Sequence, residues 1–443
     1  MTISSVVIRH ARLIAIAMAV VAAAAILLLA RSYTFYFDEW TFIQTAPDWT
    51  WITYLQPHNE HPVMLPRLIY TALLSTVGLR TYLPYMAVLL TLHATNGVLL
   101  FEIVRRRAGD LVGLACAAVF LVLGAAWENL LWAFQIAFVG SVACGLGMLL
   151  ALQAPPTPRR LLAASLLLAA SLAFSGMGIV FATAAVATLL LTPTRRRELV
   201  WFAPVIGLFG VWYLVFGRTG TPVNPPPTAV NVLLVPLFVS WGLGQSAAGL
   251  IGESGSWGPP SLVAAAWALT LTWWRRRPDA FALGVLAALG AVYFVTGLGR
   301  AQNGIQTAGA GRYLYEGAAF WLILLGGDVA RHLPWRGTWR PALAACLFLA
   351  CFSSAVVLFS FAAAKGVQMQ REVADLQALA SERSDPCLNP GATADALVMP
   401  QVNDPAAYYR ATDRYGDPTA GIPVTDRADF DRARHNLVRP GCN

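Results

Sequence analysis

The sequence predicts an all-α polytopic membrane protein, and three observations carry that prediction. Of 443 residues, 57% are hydrophobic and only 12% charged, where a soluble chain carries about 25% charged residues. Apolar blocks of about 20 residues, the length that spans a bilayer, recur along the chain. Between them the arginines fall in short clusters: Arg105-Arg106-Arg107, Arg159-Arg160, Arg195-Arg196-Arg197 and Arg275-Arg276-Arg277. This is the positive-inside pattern, and it gives the net charge of +8 a topological meaning. A nucleic-acid site would need a continuous basic face interleaved with stacking aromatics, so no nucleic-acid partner is expected.

Taken in order, the blocks give about 11 transmembrane helices. The first covers roughly residues 9–30; Arg9 and Arg12 before it resemble a signal-peptide start, but no small-residue cleavage site follows, so an uncleaved helix is expected. A first outer loop occupies 31–81. Its apolar stretch 62–79 reads as an interfacial helix, because counting it as a span would put Arg105-Arg106-Arg107 outside. Further spans are expected at about 83–104, 110–126, 130–152, 160–174, 177–192 and 199–216. An outer loop with Pro222 and Pro225-Pro226-Pro227 comes next. The segment 231–252 reads as interfacial or re-entrant, since Arg275-Arg276-Arg277 must stay inside. The last four spans are placed at about 259–274, 280–298, 313–330 and 341–363, with Arg331, Arg336 and Arg340 marking the final inner loop.

This division gives a transmembrane domain over 1–364 and a small polar C-terminal region over 365–443. The latter is too short for a large core of its own, and a disulfide would help it fold. Cys387 and Cys442 are the candidate pair if the tail lies outside the cytoplasm. Cys116, Cys144, Cys346 and Cys351 sit in apolar blocks as packing residues. No internal repeat of the inverted-transporter kind is visible.

Ionisable residues beside hydrocarbon are costly and mark function. Asp38-Glu39 directly follow the first apolar block. A carboxylate there can deprotonate an acceptor hydroxyl, or cap a short helix. His58, Glu60 and His61 precede Pro62 at the start of the interfacial helix; they can face the same cavity, or form an ordinary N-terminus with Pro in the first turn. Glu128, in Trp127-Glu128-Asn129, tops the hairpin of the third and fourth spans, as a substrate contact or as a cap beside a Trp anchor. Arg300 and Arg312-Tyr313 flank a late outer loop. Arginine forks match phosphate oxygens, although arginines also snorkel to headgroups. Arg67 and Arg218 are weaker choices. A divalent metal on Asp38, His58, Glu60 and His61 is an alternative that no tight ligand spacing supports. The aromatic run Trp40 to Tyr54 reads as interfacial rather than sugar-stacking. His93 and Asn96 read as interhelical hydrogen-bonders. Lys365 is the chain's one lysine, a bias that reflects base composition. Neither a P-loop nor an H-E-x-x-H motif is present.

The order of one span, an acidic pair at its outer end, a long aromatic loop with an amphipathic helix and then the second span resembles the GT-C superfamily of membrane glycosyltransferases. That group includes the protein O-mannosyltransferases and the bacterial aminoarabinose transferases. The resemblance covers roughly residues 9–330 and leaves out the tail. It implies a GT-C-like fold, a polyprenyl-phosphate-sugar donor and transfer with inversion to a glycan, lipid or protein acceptor during cell-envelope glycan synthesis. Asp38 would be the catalytic base with Glu39 beside it. Glu60, His61, Glu128 and Tyr313 would contact substrate, and Arg312 with Arg300 the donor phosphate. The plasma membrane is the expected location, with the N-terminus cytoplasmic and the C-terminus outside. The alternative from another class is a transporter or flippase for a lipid-linked saccharide, which would place charges deep within its spans.

Overall fold

The computed structural model describes residues 3–219, 228–333 and 339–442. The loop carrying Pro222 and Pro225-Pro226-Pro227, and Arg336, lie outside the described residues. Among the described residues seventeen α-helices follow one another: α1 (Ile3–Leu29), α2 (Asp38–Thr45), α3 (Met64–Thr76), α4 (Leu83–Ala108), α5 (Asp110–Leu121), α6 (Trp127–Leu131), α7 (Ile136–Leu152), α8 (Pro158–Phe174), α9 (Gly178–Leu190), α10 (Leu199–Val215), α11 (Ala229–Gly249), α12 (Gly258–Arg275), α13 (Ala280–Arg300), α14 (Gly311–Leu324), α15 (Trp339–Ser381), α16 (Pro405–Tyr415) and α17 (Arg427–Leu437). Extended pairing among the described residues is limited to two isolated bridges, His58 with His61 and Leu388 with Val438.

Among the described residues seven helices are long and apolar enough to cross a membrane, or eight if the pair Asp110–Leu121 and Gly124–Leu131, bent by 42°, counts as one span. Their outward faces agree. Val20, Leu208, Leu233, Phe348 and Phe359 are all more than half exposed, a surface that water would penalise and lipid would not. The chain is therefore a multi-pass, all-helical membrane protein. Six expected spans coincide with members of the seven: α1, α4, α7, α10, α13 and α15. The regions expected at 160–174, 177–192, 259–274 and 313–330 form α8, α9, α12 and α14, which do not qualify by length and composition.

The seventh is α11, which covers most of the segment 231–252 expected to be interfacial or re-entrant and has the length and composition of a span. It is a continuous 21-residue helix of spanning length. It starts beside the end of α13, where Asn231 Nδ2 donates to the Leu298 carbonyl at 3.1 Å. It ends where Gly244 lies against the backbone of Gly258, at the start of α12. The segment 62–79 does yield a short helix, α3, of 13 residues, about 20 Å at 1.5 Å per residue and short of a bilayer.

Buried polar groups join the helices. His93 Nδ1 and Asn96 Nδ2 meet the Tyr315 hydroxyl at 2.8 and 3.0 Å, tying α4 to α14. Asn96 Nδ2 also donates to the Val139 carbonyl of α7. Such bonds hold helices together where the surroundings offer no water.

The boundary expected at 364/365 falls inside α15, which runs unbroken for 43 residues. Its far half carries the C-terminal region, closed by the Cys387–Cys442 disulfide. A buried ion cluster joins α15 to α17: Arg432 reaches Asp375 at 2.8 Å and Asp395 at 2.9 Å, and Arg371 reaches Asp395 at 2.7 Å. The region docks on the first loop. The Leu79 amide donates to the Tyr415 carbonyl, and the Trp40 and Tyr408 rings lie 5.3 Å apart.

Candidate active site

A cavity of about 540 Å³ opens where α1 ends, α2 begins and the C-terminal region docks. Asp38, His61, Glu128, Arg300, Arg312 and Tyr313 all line it. Asp38 and Tyr313, 275 positions apart in the chain, thus share one cavity because each stands at the start of a helix, while His61 comes from the turn before α3.

Asp38 opens α2 after an abrupt turn. Phe37 has φ 52° and makes no side-chain capping bond. Asn59, at φ 54°, is the other non-glycine residue with positive φ among those described. Both line the cavity. Such backbone costs about 1–2 kcal/mol per residue, and strain of this kind concentrates at functional sites. Around Asn59 the amides and carbonyls of His58 and His61 exchange hydrogen bonds at 3.0 Å, a tight turn that aims both imidazoles at the cavity. Asp38 Oδ2 lies 3.9 Å from His58 Nε2. Its Oδ1 accepts from Gln401 Nε2 at 3.4 Å, so the C-terminal region supplies one partner of the candidate base. Asp38 makes no capping contact within its helix, which weighs against that use of the residue. Burial holds His61 down to about 4, so it is neutral near pH 7.

Glu39 goes elsewhere. Successive helical residues are about 100° apart, so when Asp38 faces the cavity its neighbour faces the core. Glu39 is fully buried and accepts from the Tyr70 hydroxyl at 2.6 Å, the Tyr82 hydroxyl at 3.0 Å and the Tyr36 amide at 2.9 Å. Burial raises its carboxyl to about 7 against the pull of those donors. It pins α2 to α3 and to the head of α4, away from the cavity lining.

The cationic wall comes from α13 and α14. Arg312 Nη1 donates to Glu128 Oε2 at 2.7 Å, and Arg300 Nη2 to Glu60 Oε2 at 3.2 Å. Glu60 sits at the rim. Both guanidiniums lie within 6 Å of the Tyr313 ring centre, at 5.1 Å for Arg312 and 5.7 Å for Arg300. Each guanidinium is bridged to one carboxylate, and the two forks meet over the same ring. Arg67 is instead buried in loop packing, donating to the carbonyls of Thr53, Gln56 and Pro57. Among the described residues no group of three or more His, Cys, Asp or Glu side chains is placed to hold a metal ion.

Lys365, Gln401, Trp132, Phe134 and Phe138 also line the cavity and were not singled out as substrate contacts from sequence. The one usable signal was Lys365, a solitary lysine at the end of the last apolar block. The aromatics of the cavity are Tyr36, Phe37, Trp127, Trp132, Phe134, Phe138 and Tyr313, none from the Trp40–Tyr54 run, in which Trp40 is core and Trp51 is exposed.

Beside the cavity lies an apolar groove of about 440 Å³ between α3, α8 and α10, lined by Met64, Leu172, Phe209, Trp212 and Phe216 among others. The two share a wall. His61 and Val63 face the cavity while Pro62 and Met64 face the groove, and Ser175 and Ala173 divide in the same way.

Compared with family models, curated proteins and solved structures, the chain finds no match in any of the three.

Proposed function

We propose that the protein is an inverting membrane glycosyltransferase of the GT-C type, which moves a sugar from a polyprenyl phosphate to an acceptor on the outer side of the plasma membrane. The observation that carries this reading is one cavity holding a carboxylate and a paired-arginine wall, directly beside an apolar groove. A lipid-linked sugar phosphate needs all three. The prenyl chain takes the groove, as apolar surface leaving water favours. Arg300 and Arg312 bind the phosphate. Asp38 takes the proton of the acceptor hydroxyl as its oxygen attacks the anomeric carbon. The bond from that carbon to the phosphate oxygen breaks, and its electron pair leaves with the phosphate. The arginines stabilise the negative charge that grows there, while Gln401 and His58 orient Asp38.

The test is release of free polyprenyl phosphate from a panel of polyprenyl-phosphate sugars, using purified protein in lipid with membrane extract as the acceptor source. Wild type should release it from one donor. Arg312→Ala should bind that donor at least 10-fold more weakly, and unchanged donor affinity would return Arg312 to a headgroup contact.

One observation favours the second reading, a flippase for a lipid-linked saccharide. Glu316, five residues into α14, is fully buried with both carboxylate oxygens lacking a partner among the described residues. A buried ionisable group inside a membrane helix is a transport-site candidate. Glu316→Gln separates the two: a transferase keeps its turnover, whereas a flippase coupled to that carboxylate loses lipid-saccharide flipping.

A further inference from the structure

We infer that Lys365 receives a second anionic group of the substrates, distinct from the one held by Arg300 and Arg312. The identity of the first anion rests on the glycosyl-transfer reading; the existence of the second does not.

The charges around the cavity leave Lys365 as the odd one. Arg312 is matched by Glu128 and Arg300 by Glu60. Lys365 is 6% exposed, yet among the described residues no carboxylate comes within ion-pairing distance of its ammonium. Its side chain lies over the Tyr36 ring and donates to Gln368 Oε1 at 3.2 Å. An ammonium has three donors to satisfy. The acidic groups on the neighbouring elements are engaged or set back. Glu39 is held by Tyr70 and Tyr82, Glu128 by Arg312, and Glu372 lies two turns further along α15. A buried charge without a close counter-ion is strongly unfavourable, and the open side of Lys365 is the cavity it lines.

The position is also distinct from the arginine wall. Lys365 comes from α15, one turn beyond Phe361, whose ring stacks on Trp127 at 4.6 Å; Arg300 and Arg312 come from α13 and α14. Lysine is moreover a compact point charge, unlike the planar arginine fork, and this is the only lysine among 31 basic residues. The chemistry it fits is an oxyanion, phosphate or carboxylate. Two sources carry one: the second phosphate of a polyprenyl diphosphate, or an anionic group on the acceptor.

The experiment measures binding of decaprenyl phosphate, decaprenyl diphosphate and inorganic phosphate to the full-length protein in lipid nanodiscs. Wild type, Lys365→Met, Lys365→Arg and Arg312→Ala are compared. Lys365→Met should bind decaprenyl phosphate within 2-fold of wild type, and Lys365→Arg should retain the wild-type pattern throughout. If wild type prefers diphosphate over monophosphate by 10-fold or more and Lys365→Met loses that preference, the second anion belongs to the donor. If the two lipids bind alike, but inorganic phosphate binds alongside saturating decaprenyl phosphate and this binding is lost in Lys365→Met, the anion belongs to the acceptor. Wild-type binding of all three probes by Lys365→Met overturns the inference. So does a loss of monophosphate binding as large as that in Arg312→Ala, which would merge Lys365 with the first site. If wild type ignores both lipids, the donor reading fails, and the inorganic-phosphate comparison still decides the role of Lys365.

Discussion

Arginine–carboxylate pairs hold both ends of the helix bundle, and at one end they border the cavity. At the arginine-rich end, Arg107 closes α4 and reaches Asp279 at 2.9 Å and Asp328 at 2.7 Å. Asp328 also accepts from Trp273 Nε1 at 3.1 Å. Arg107 of α4 and Trp273 of α12 thus meet on the buried Asp328 just past α14, and Arg107 also ties in Asp279 at the head of α13. At the cavity end Arg312 pairs with Glu128 and Arg300 with Glu60, whereas Lys365 lines the cavity with no carboxylate in ion-pairing range among the described residues. The same residue types serve as a lock where they are saturated, and as a binding site where a cation is left over beside open space.

That contrast can be broken from either end. The largest effect belongs to Asp38→Asn: release of polyprenyl phosphate should fall by about 10²–10⁴-fold, the span attributed to a positioned general base, with thermal unfolding unchanged. Substantial residual turnover would remove Asp38 from that role. Arg107→Ala should do the reverse. Stripping the partner from buried Asp328 costs about 3–5 kcal/mol, read as a lower unfolding temperature, while donor affinity of the folded fraction stays at the wild-type value. Should donor affinity fall instead, the two ends are coupled and the contrast is too simple.

A smaller effect is expected from the disulfide. Cys387 and Cys442 are 55 positions apart, and closing a loop of that length is worth up to about 4 kcal/mol on the chain-entropy account. Replacing both with serine should loosen the C-terminal region, and with it the hold of Gln401 on Asp38. Turnover should drop several-fold before the membrane helices unfold, as followed by hydrogen exchange of residues 395–442 against the rest.

The smallest effect is a pH dependence. Glu39 titrates near 7 in the folded protein, above the ordinary carboxylate value, because it is buried. Its protonated form is therefore favoured by folding. The stability it contributes is complete below about pH 4.5 and is lost as the pH rises through about 7. His61, held down to about 4 by burial, works oppositely, with stability lost as the pH falls below about 6.5 through 4. Wild type should lose a few degrees of unfolding temperature between pH 5 and 8. Glu39→Gln should flatten that slope, and an unchanged slope would assign it to another group.

Sequence by itself determined the membrane class, since apolar blocks of bilayer length have few other uses in water, and it marked the helix ends at which Asp38, His61, Glu128, Arg300 and Arg312 stand. Charges beside hydrocarbon are conspicuous in any sequence, so these were legible one at a time. Only the tertiary structure decided how they combine. It split Asp38 from Glu39, because a helix turns adjacent residues about 100° apart and the Tyr70 and Tyr82 hydroxyls captured the second. It made α11 a full-length helix, which charge parity had argued against, through packing along α13 and α14. It brought Lys365 and Gln401 to the cavity by extending α15 past the apolar block and folding the tail onto the first loop. Hydropathy reports the cost of leaving water, residue by residue. Which side chains meet depends on helix rotation and long-range docking, and neither leaves a periodic trace in the chain.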